Sequence, residues 1–304
     1  MKKNNNFIFD ICVCGHSFKD IIYKLDDFPK ENSNKVYNAD STVSFGGIFN
    51  TLRGLRFLNK KIKIKAITVL GKDDEGRSAI NYLNKLKINY KETIFNKLTN
   101  TSLHLINKKK NTKTFIVRFL SGKLKKIQKI SDSRFVHFMY LDNKEFLDQF
   151  GKLILKKTSN QFFSADLSKR SPSKNNLKKY LNKLDFLICS TKELSSLFNS
   201  KKCIEFNPYS IKKLKELSLT IKYVLVHSKL ESKIFIDGEE NSLINKKTIT
   251  NKNLNITGAG DTYASFILNE FLTKNMIDIK SVSGAHKFAN EYCLGKLYWN
   301  LIKN

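Results

Sequence analysis

The sequence predicts an α/β fold, a central mainly parallel sheet flanked by helices. Short β-like runs alternate with helical segments along most of the chain. The 304 residues, 41% of them hydrophobic, are enough to bury a substantial core. With only 3 Pro and 13 Gly there is no room for low-complexity spacers, so one α/β domain spanning 1–304 is expected. Taken in order, Phe7–Cys14 is a β-like stretch broken only by Asp10, and Asn50–Leu58 carries apolar residues at helical spacing. Ile62–Val69 is rich in β-branched residues, and Glu75–Leu86 returns to the helical period. Phe135–Tyr140, Gln161–Asp166, Asp185–Cys189, Tyr223–His227 and Lys233–Ile236 are the further expected strands. Lys144–Lys156, Lys174–Leu184, Lys192–Phe198, Thr262–Leu272 and Ser281–Leu297 are the further expected helices. Two stretches break the rhythm: Ile21–Phe45 and Thr101–Phe119 hold alternating segments (TSLHLI, TKTFIVRF) without a helix between them. They are expected to pair as a small antiparallel sheet standing off the main one.

Charge excludes less than its size suggests. There are 55 basic and 27 acidic residues, a formal charge of +28, which raises the question of a nucleic-acid or membrane partner. Only Arg53, Arg56, Arg77, Arg118, Arg134 and Arg170 are arginines, the residue that base and bidentate phosphate recognition favours. The lysines are spread over the whole chain and no zinc finger, RNP motif or basic heptad occurs, so no specific nucleic acid is expected. No apolar run approaches the roughly 20 residues of a membrane span, and Asp10 interrupts the only stretch resembling a leader. A cytoplasmic protein with no membrane partner is expected. The five cysteines form no C-x-x-C, and the five histidines match no metal spacing.

In wound α/β sheets, ligands bind beyond the carboxyl ends of the strands, and three post-strand turns here carry unusual chemistry. The most informative is Asn255-Ile-Thr-Gly-Ala-Gly-Asp261, followed by the apolar-periodic TYASFILNEFL. Gly258 and Gly260 let the backbone turn sharply, and a helix starting near Asp261 points free N–H groups into the turn, making an anion hole. It is not a Walker A loop, because no Gly-Lys-Ser/Thr follows. On the residues alone, Asp261 could instead cap the helix. Asp20 could be a solvated turn carboxylate, Asn50 a helix cap, Glu193 a first-turn Glu facing the dipole and Asn290 a helix-surface amide.

T-G-A-G-D before a helix resembles the signature of the ribokinase-like, or PfkB, carbohydrate kinases, and other stretches match that family in order. Gly15-His-Ser-Phe-Lys-Asp20 resembles the turn after the first strand, ending in a sugar-binding Asp. Phe45-Gly-Gly-Ile-Phe-Asn50 resembles the glycine pair and Asn that grip sugar hydroxyls. Gly71 to Gly76 matches a G-x-D-x-x-G turn, where Asp74 and Gly76 are expected to shape the turn and cap the next helix. Asp166-Leu-Ser-Lys-Arg170 resembles a D-x-N-x-R run, and Ser190-Thr-Lys-Glu193 an N-x-x-E element that organises Mg2+ and its waters.

The resemblance implies a ribokinase-like fold whose small sheet, roughly 18–45 and 100–120, is a substrate lid. It implies an ATP-dependent, Mg2+-using kinase acting on a primary hydroxyl of a sugar or nucleoside-like molecule, and allows a homodimer through the lid. Asp261 would be the general base, with the Gly258, Ala259 and Gly260 amides holding the transferring phosphoryl group. Asp20, Gly46, Gly47 and Asn50 would contact the acceptor, Thr257, Ser228 and Asn290 the nucleotide, and Glu193 the metal. The chain also departs from the pattern. Ser168 and Ser190 replace asparagines, and two residues rather than three separate the glycine pair from Asn50. Asn255 replaces the acidic residue of a monovalent-cation loop, so turnover is expected to differ little between K+ and Na+. The T-x-G-x-x-G nucleotide loop has become His227-Ser-Lys-Leu-Glu-Ser232, without either glycine. The alternative these losses raise is a catalytically weakened relative that binds a sugar or nucleoside.

Overall fold

The computed structural model describes residues 7–32, 39–110, 112–119, 129–139, 148, 151–167, 180–198, 206–244 and 257–297. The chain opens with β1 (Phe9–Cys14), β2 (Ser17–Leu25), β3 (Ala39–Gly47) and α1 (Ile48–Leu58). It continues through β4 (Ile64–Ile67), β5 (Val69–Gly71), α2 (Asp74–Lys85), β6 (Ile94–Asn96), β7 (Thr101–Asn107) and β8 (Thr112–Arg118). β9 (Ser133–Phe138), β10 (Phe162–Asp166), β11 (Phe186–Ser190), α3 (Thr191–Leu197) and α4 (Pro208–Ser218) follow. The last elements are β12 (Tyr223–His227), β13 (Glu231–Ile236), β14 (Glu239–Ile244), α5 (Ala259–Lys274) and α6 (Ile279–Cys293).

The main sheet runs β14-β13-β12-β11-β10-β9-β1-β4. From β4 to β12 every neighbour is parallel, and β13 and β14 finish the sheet as an antiparallel hairpin. Strand alternation loads both faces with apolar side chains, as a doubly covered sheet requires. On β11, Leu187 and Cys189 join the core beneath α3 and α4, while Phe186 and Ile188 join the core beneath α1 and α5. Phe271 of α5 packs edge-on to Phe135, Phe162 and Phe186, tying that helix across three strands.

The small sheet, β3-β2-β7-β8, holds both irregular stretches. It is mixed rather than antiparallel throughout, because β2 pairs with β7 in parallel. The two strands are far apart in sequence, so no tight turn forces them to run opposite ways. Other boundaries also moved. Ile62–Val69 divides into β4 of the main sheet and β5, which pairs with β6 in a separate two-stranded ribbon. The last helix stops at Cys293, before Gly295 at φ 69°. Helix α4 was not anticipated, although Asn207 caps it reciprocally with Ser210 and Pro208 opens its first turn. The expected helices Lys144–Lys156 and Lys174–Leu184 lie about half outside the described residues, which have helical backbone at 148, 151–154 and 180–181.

Candidate active site

Because β1, β10, β11 and β12 are parallel, their carboxyl ends, Cys14, Asp166, Ser190 and His227, share one edge of the main sheet. The start of α5 meets that edge. Gly258 is the N-cap at φ 84°, the left-handed region that glycine enters without cost. The first intrahelical bond is Thr262 N–H to Gly258 O (2.9 Å), so the Ala259 and Gly260 N–H groups precede the helix ladder and form its positive end. Tyr292 of α6 pins the turn by donating to Thr257 O (2.7 Å). Asp261, buried in the first turn, is therefore not the N-cap. Its carboxylate Oδ2 accepts from Asn50 Nδ2 (2.8 Å).

Asn50 reaches Asp261 because β3 runs directly into α1. Ile48 N–H donates to His16 O (3.0 Å), which docks the helix start against the end of β1. The Asn50 amide lies against the turn as well, where a Cβ on Gly258 would stand 2.9 Å from Nδ2. Asn50 is thus tied to Asp261 across 211 residues of sequence, beyond the substrate contact expected of it.

Asp20 projects from β2 on the same sheet face as Ser102 and His104, given the register Asp20↔Ser102 and Ile22↔His104. His104 Nε2 lies 3.4 Å from Asp20 Oδ1 and 2.7 Å from Ser102 Oγ, and Phe115 stands edge-on to its ring. The carboxylate fits only because Gly46 lacks a side chain: a Cβ there would fall 1.9 Å from Asp20 Oδ2. His16, Phe18 and Phe119 form an aromatic cluster between β1 and the small sheet. Burial lowers His16 to about 4, so its ring is neutral.

Carboxylates crowd the other side. Burial, reinforced by Glu193 and then Asp261, pushes the Asp166 carboxyl well above its ordinary value. Glu193 Oε2 accepts from Ser190 N (2.7 Å), completing a capping box on α3, so the helix-start role weighed for this residue is present. Among the described residues, no three His, Cys, Asp or Glu side chains stand close enough to hold a metal ion by themselves. His227 ends β12 with its ring tilted against that of Tyr263 (centroids 4.7 Å) beside Gly260, and burial, with His286 nearby, lowers it to about 4. Ser228 turns its hydroxyl inward to the β12–β13 hairpin, accepting from Glu231 N (3.0 Å) and donating to Glu231 O (3.1 Å). Asn290 is half-buried on α6 and its amide makes no hydrogen bond among the described residues. Asn255 and residues 168–170 lie outside the described residues.

Arg53 and Tyr292 were not anticipated as site residues, and Asp166, singled out only as the start of a D-x-N-x-R-like run, was given no role in the site. Asp166 carries a signal in the sequence, a lone carboxylate ending an apolar strand. Arg53 carries a weaker one, its i+3 spacing from Asn50. Tyr292 carries none, because only the packing of α6 brings it to the turn.

A model of the family described as pfkB family carbohydrate kinase matches residues 9–293. Comparison with curated proteins finds no match. Among solved structures, the Methanocaldococcus jannaschii nucleoside kinase superposes with a TM-score of 0.75 at 19% identity, covering 96% of this chain and 94% of that one. Ribokinase from Thermotoga maritima gives 0.74 at 19% identity, with 97% and 96% covered. Arabidopsis thaliana ribokinase, complexed with ribose and ATP, gives 0.73 at 17% identity, with 97% and 96% covered.

Proposed function

The chain belongs to the pfkB family of carbohydrate kinases, and from that premise we propose that it transfers the γ-phosphoryl group of ATP to a primary hydroxyl of a sugar or sugar-like molecule. The observation that carries this reading is Asp261, a buried carboxylate one residue beyond a pair of helix-start amides and held from the side by Asn50. In this reading Asp261 takes the acceptor's hydroxyl proton as the bond to phosphorus forms, and the Gly258, Ala259 and Gly260 amides hold the equatorial oxygens. Phosphoryl transfer asks the protein mainly for positioning and charge stabilisation, which suits a site built largely of backbone.

Asp20, Gly46, Gly47 and Asn50 would receive the acceptor, with the small sheet closing over it to exclude water. Thr257, Ser228 and Asn290 would face the nucleotide. Glu193 and Asp261 both bear on the buried Asp166 carboxyl, so a divalent cation would suit this corner. Mg2+, held through water by Glu193, would supply charge neutralisation of the phosphates. The outer face of the small sheet supports a homodimer. Val43, Ile21, Leu103 and Ile116 align across its four strands in register, with Val43 62% and Ile116 56% exposed.

A second reading, a relative that binds sugar or nucleoside without turnover, draws on the hairpin that Ser228 closes upon itself. A thermal-shift screen of sugars and nucleosides, with and without Mg·ATP, separates the two, because a bound ligand raises the melting temperature by mass action. The kinase reading expects shifts from both ligands; a sugar shift with no nucleotide effect favours the second. On the acceptor found, Asp261→Asn is expected to melt as wild type does and to lose roughly 10²–10⁴-fold in kcat. Near wild-type turnover in that variant would refute the assignment.

A further inference from the structure

We infer that Arg53 is a positioning residue for Asp261, acting through the amide of Asn50; the inference rests on the reading of Asp261 as the base. Arg53 lies one turn after Asn50 on α1, so both side chains share a helix face. Its guanidinium donates to Asn50 Oδ1 and to Phe45 O (3.0 Å). No carboxylate lies within ion-pair distance of it among the described residues, and its Nε is buried without a hydrogen-bond partner there. Its charge also bears on Tyr82 and Tyr292, while its hydrogen bond toward Asp261 runs through Asn50.

The consequence is orientational. An asparagine amide presents an acceptor at one end and donors at the other, and its two flips differ little in shape. A guanidinium carries donors only, so it admits only Oδ1 at its end of Asn50. The NH2 end must then face Asp261, where it donates to Oδ2 (2.8 Å). Without Arg53 the amide loses that constraint, and a flipped Asn50 would set its oxygen against the carboxylate. The other ionisable groups around Asp261 are Asp166 of β10, Glu193 of α3, Tyr292 of α6 and His227 of β12, lowered to about 4 by burial beside Gly260, and Asp20 of β2 also faces Tyr292. None of these supplies a fixed cation.

The test starts from the unliganded protein, following the Asp261 carboxyl by 13C NMR on an aspartate-labelled sample, with Asp261→Asn identifying the resonance. Arg53→Met keeps the length and apolar stem but removes the donors. It is expected to raise the titration midpoint of Asp261 by roughly one unit, as loss of a hydrogen bond to the charged form does. Asn50→Ala should raise it by a similar amount, and the double variant no further, because the two act in series. Arg53→Lys, which retains a donor for Asn50, should stay closer to wild type. Arg53→Gln, polar but too short to reach, should behave as Arg53→Met and covers the case in which the latter folds poorly. An unchanged midpoint in Arg53→Met or Arg53→Gln, or a full second increment in the double variant, overturns the inference. In turnover, Arg53→Met is expected to lower kcat about ten-fold at constant KM for Mg·ATP. If the wild type phosphorylates no acceptor, the kinase reading fails while the titration still decides the role of Arg53.

Discussion

At the scale of single residues, the proposed acceptor side of the site depends on a missing side chain. Asp20 Oδ2 occupies the space that a Cβ on Gly46 would need, at 1.9 Å. Gly46→Ala should therefore leave the sheets intact and displace the carboxylate, because the side chain yields more easily than two paired strands. Misplacing a substrate-holding group by about 1 Å costs on the order of 10²-fold, so kcat/KM for the acceptor should fall by about that factor with little change in melting temperature. Steady-state kinetics beside a melting curve checks it; unchanged kinetics would remove Asp20 from the acceptor site. The Arg53–Asn50–Asp261 series belongs to the same scale, a chain of two side-chain hydrogen bonds that the proposed positioning role would use.

Among the elements, α2 shows a family-like turn whose carboxylate is engaged in capping a helix. Its N-cap is Asp73, not the expected Asp74, which is exposed and paired with Arg77. Asp73 accepts from Gly76 N (2.9 Å), Thr99 N (2.8 Å) and Thr99 Oγ1 (2.6 Å), joining α2 to the strand approach of β7. Burial works against its charge, but the hydrogen bonds from Thr99 and the backbone outweigh it and hold the carboxyl below its ordinary value. A carboxyl lowered in the folded state contributes stability above its unfolded value and loses it as pH falls through the folded one. Asp73→Ala is thus expected to cost about 1 kcal/mol at neutral pH. The gap from wild type should shrink as the pH drops below about 4. Denaturant unfolding across that range measures it, and a pH-independent gap would contradict the assignment.

For the whole molecule, the proposed dimer would form through the outer face of the small sheet. Its inner face carries Asp20, Ser102 and His104, and its outer face the Val43–Ile21–Leu103–Ile116 row. If that row forms a dimer contact, Val43→Lys/Ile116→Lys should sediment as a monomer at concentrations where the wild type sediments as a dimer. Burying lysine charges against the matching face carries a desolvation cost. A wild type that is monomeric throughout would remove the dimer proposal. Across the described residues no helix is long and apolar enough to cross a membrane.

The alternation of periods determined the main sheet, because parallel strands covered on both faces must be short apolar runs separated by amphipathic helices. The Gly258–Asp261 turn and helix start were legible for a related reason: a sharp turn, a helix start and a carboxylate are contiguous in the chain. Contacts between distant segments were not legible. Asn50 meeting Asp261, His104 meeting Asp20 and Asp166 facing Glu193 each join residues whose spacing encodes nothing about their approach. The parallel pairing of β2 with β7 was hidden likewise, since alternation specifies a strand but not its partner or direction. The sequence thus determined which groups the protein would bring to the edge of its sheet, through local propensity and period. Only the tertiary structure decided which of them touch, because that follows from how helices and strands far apart in the chain pack against one another.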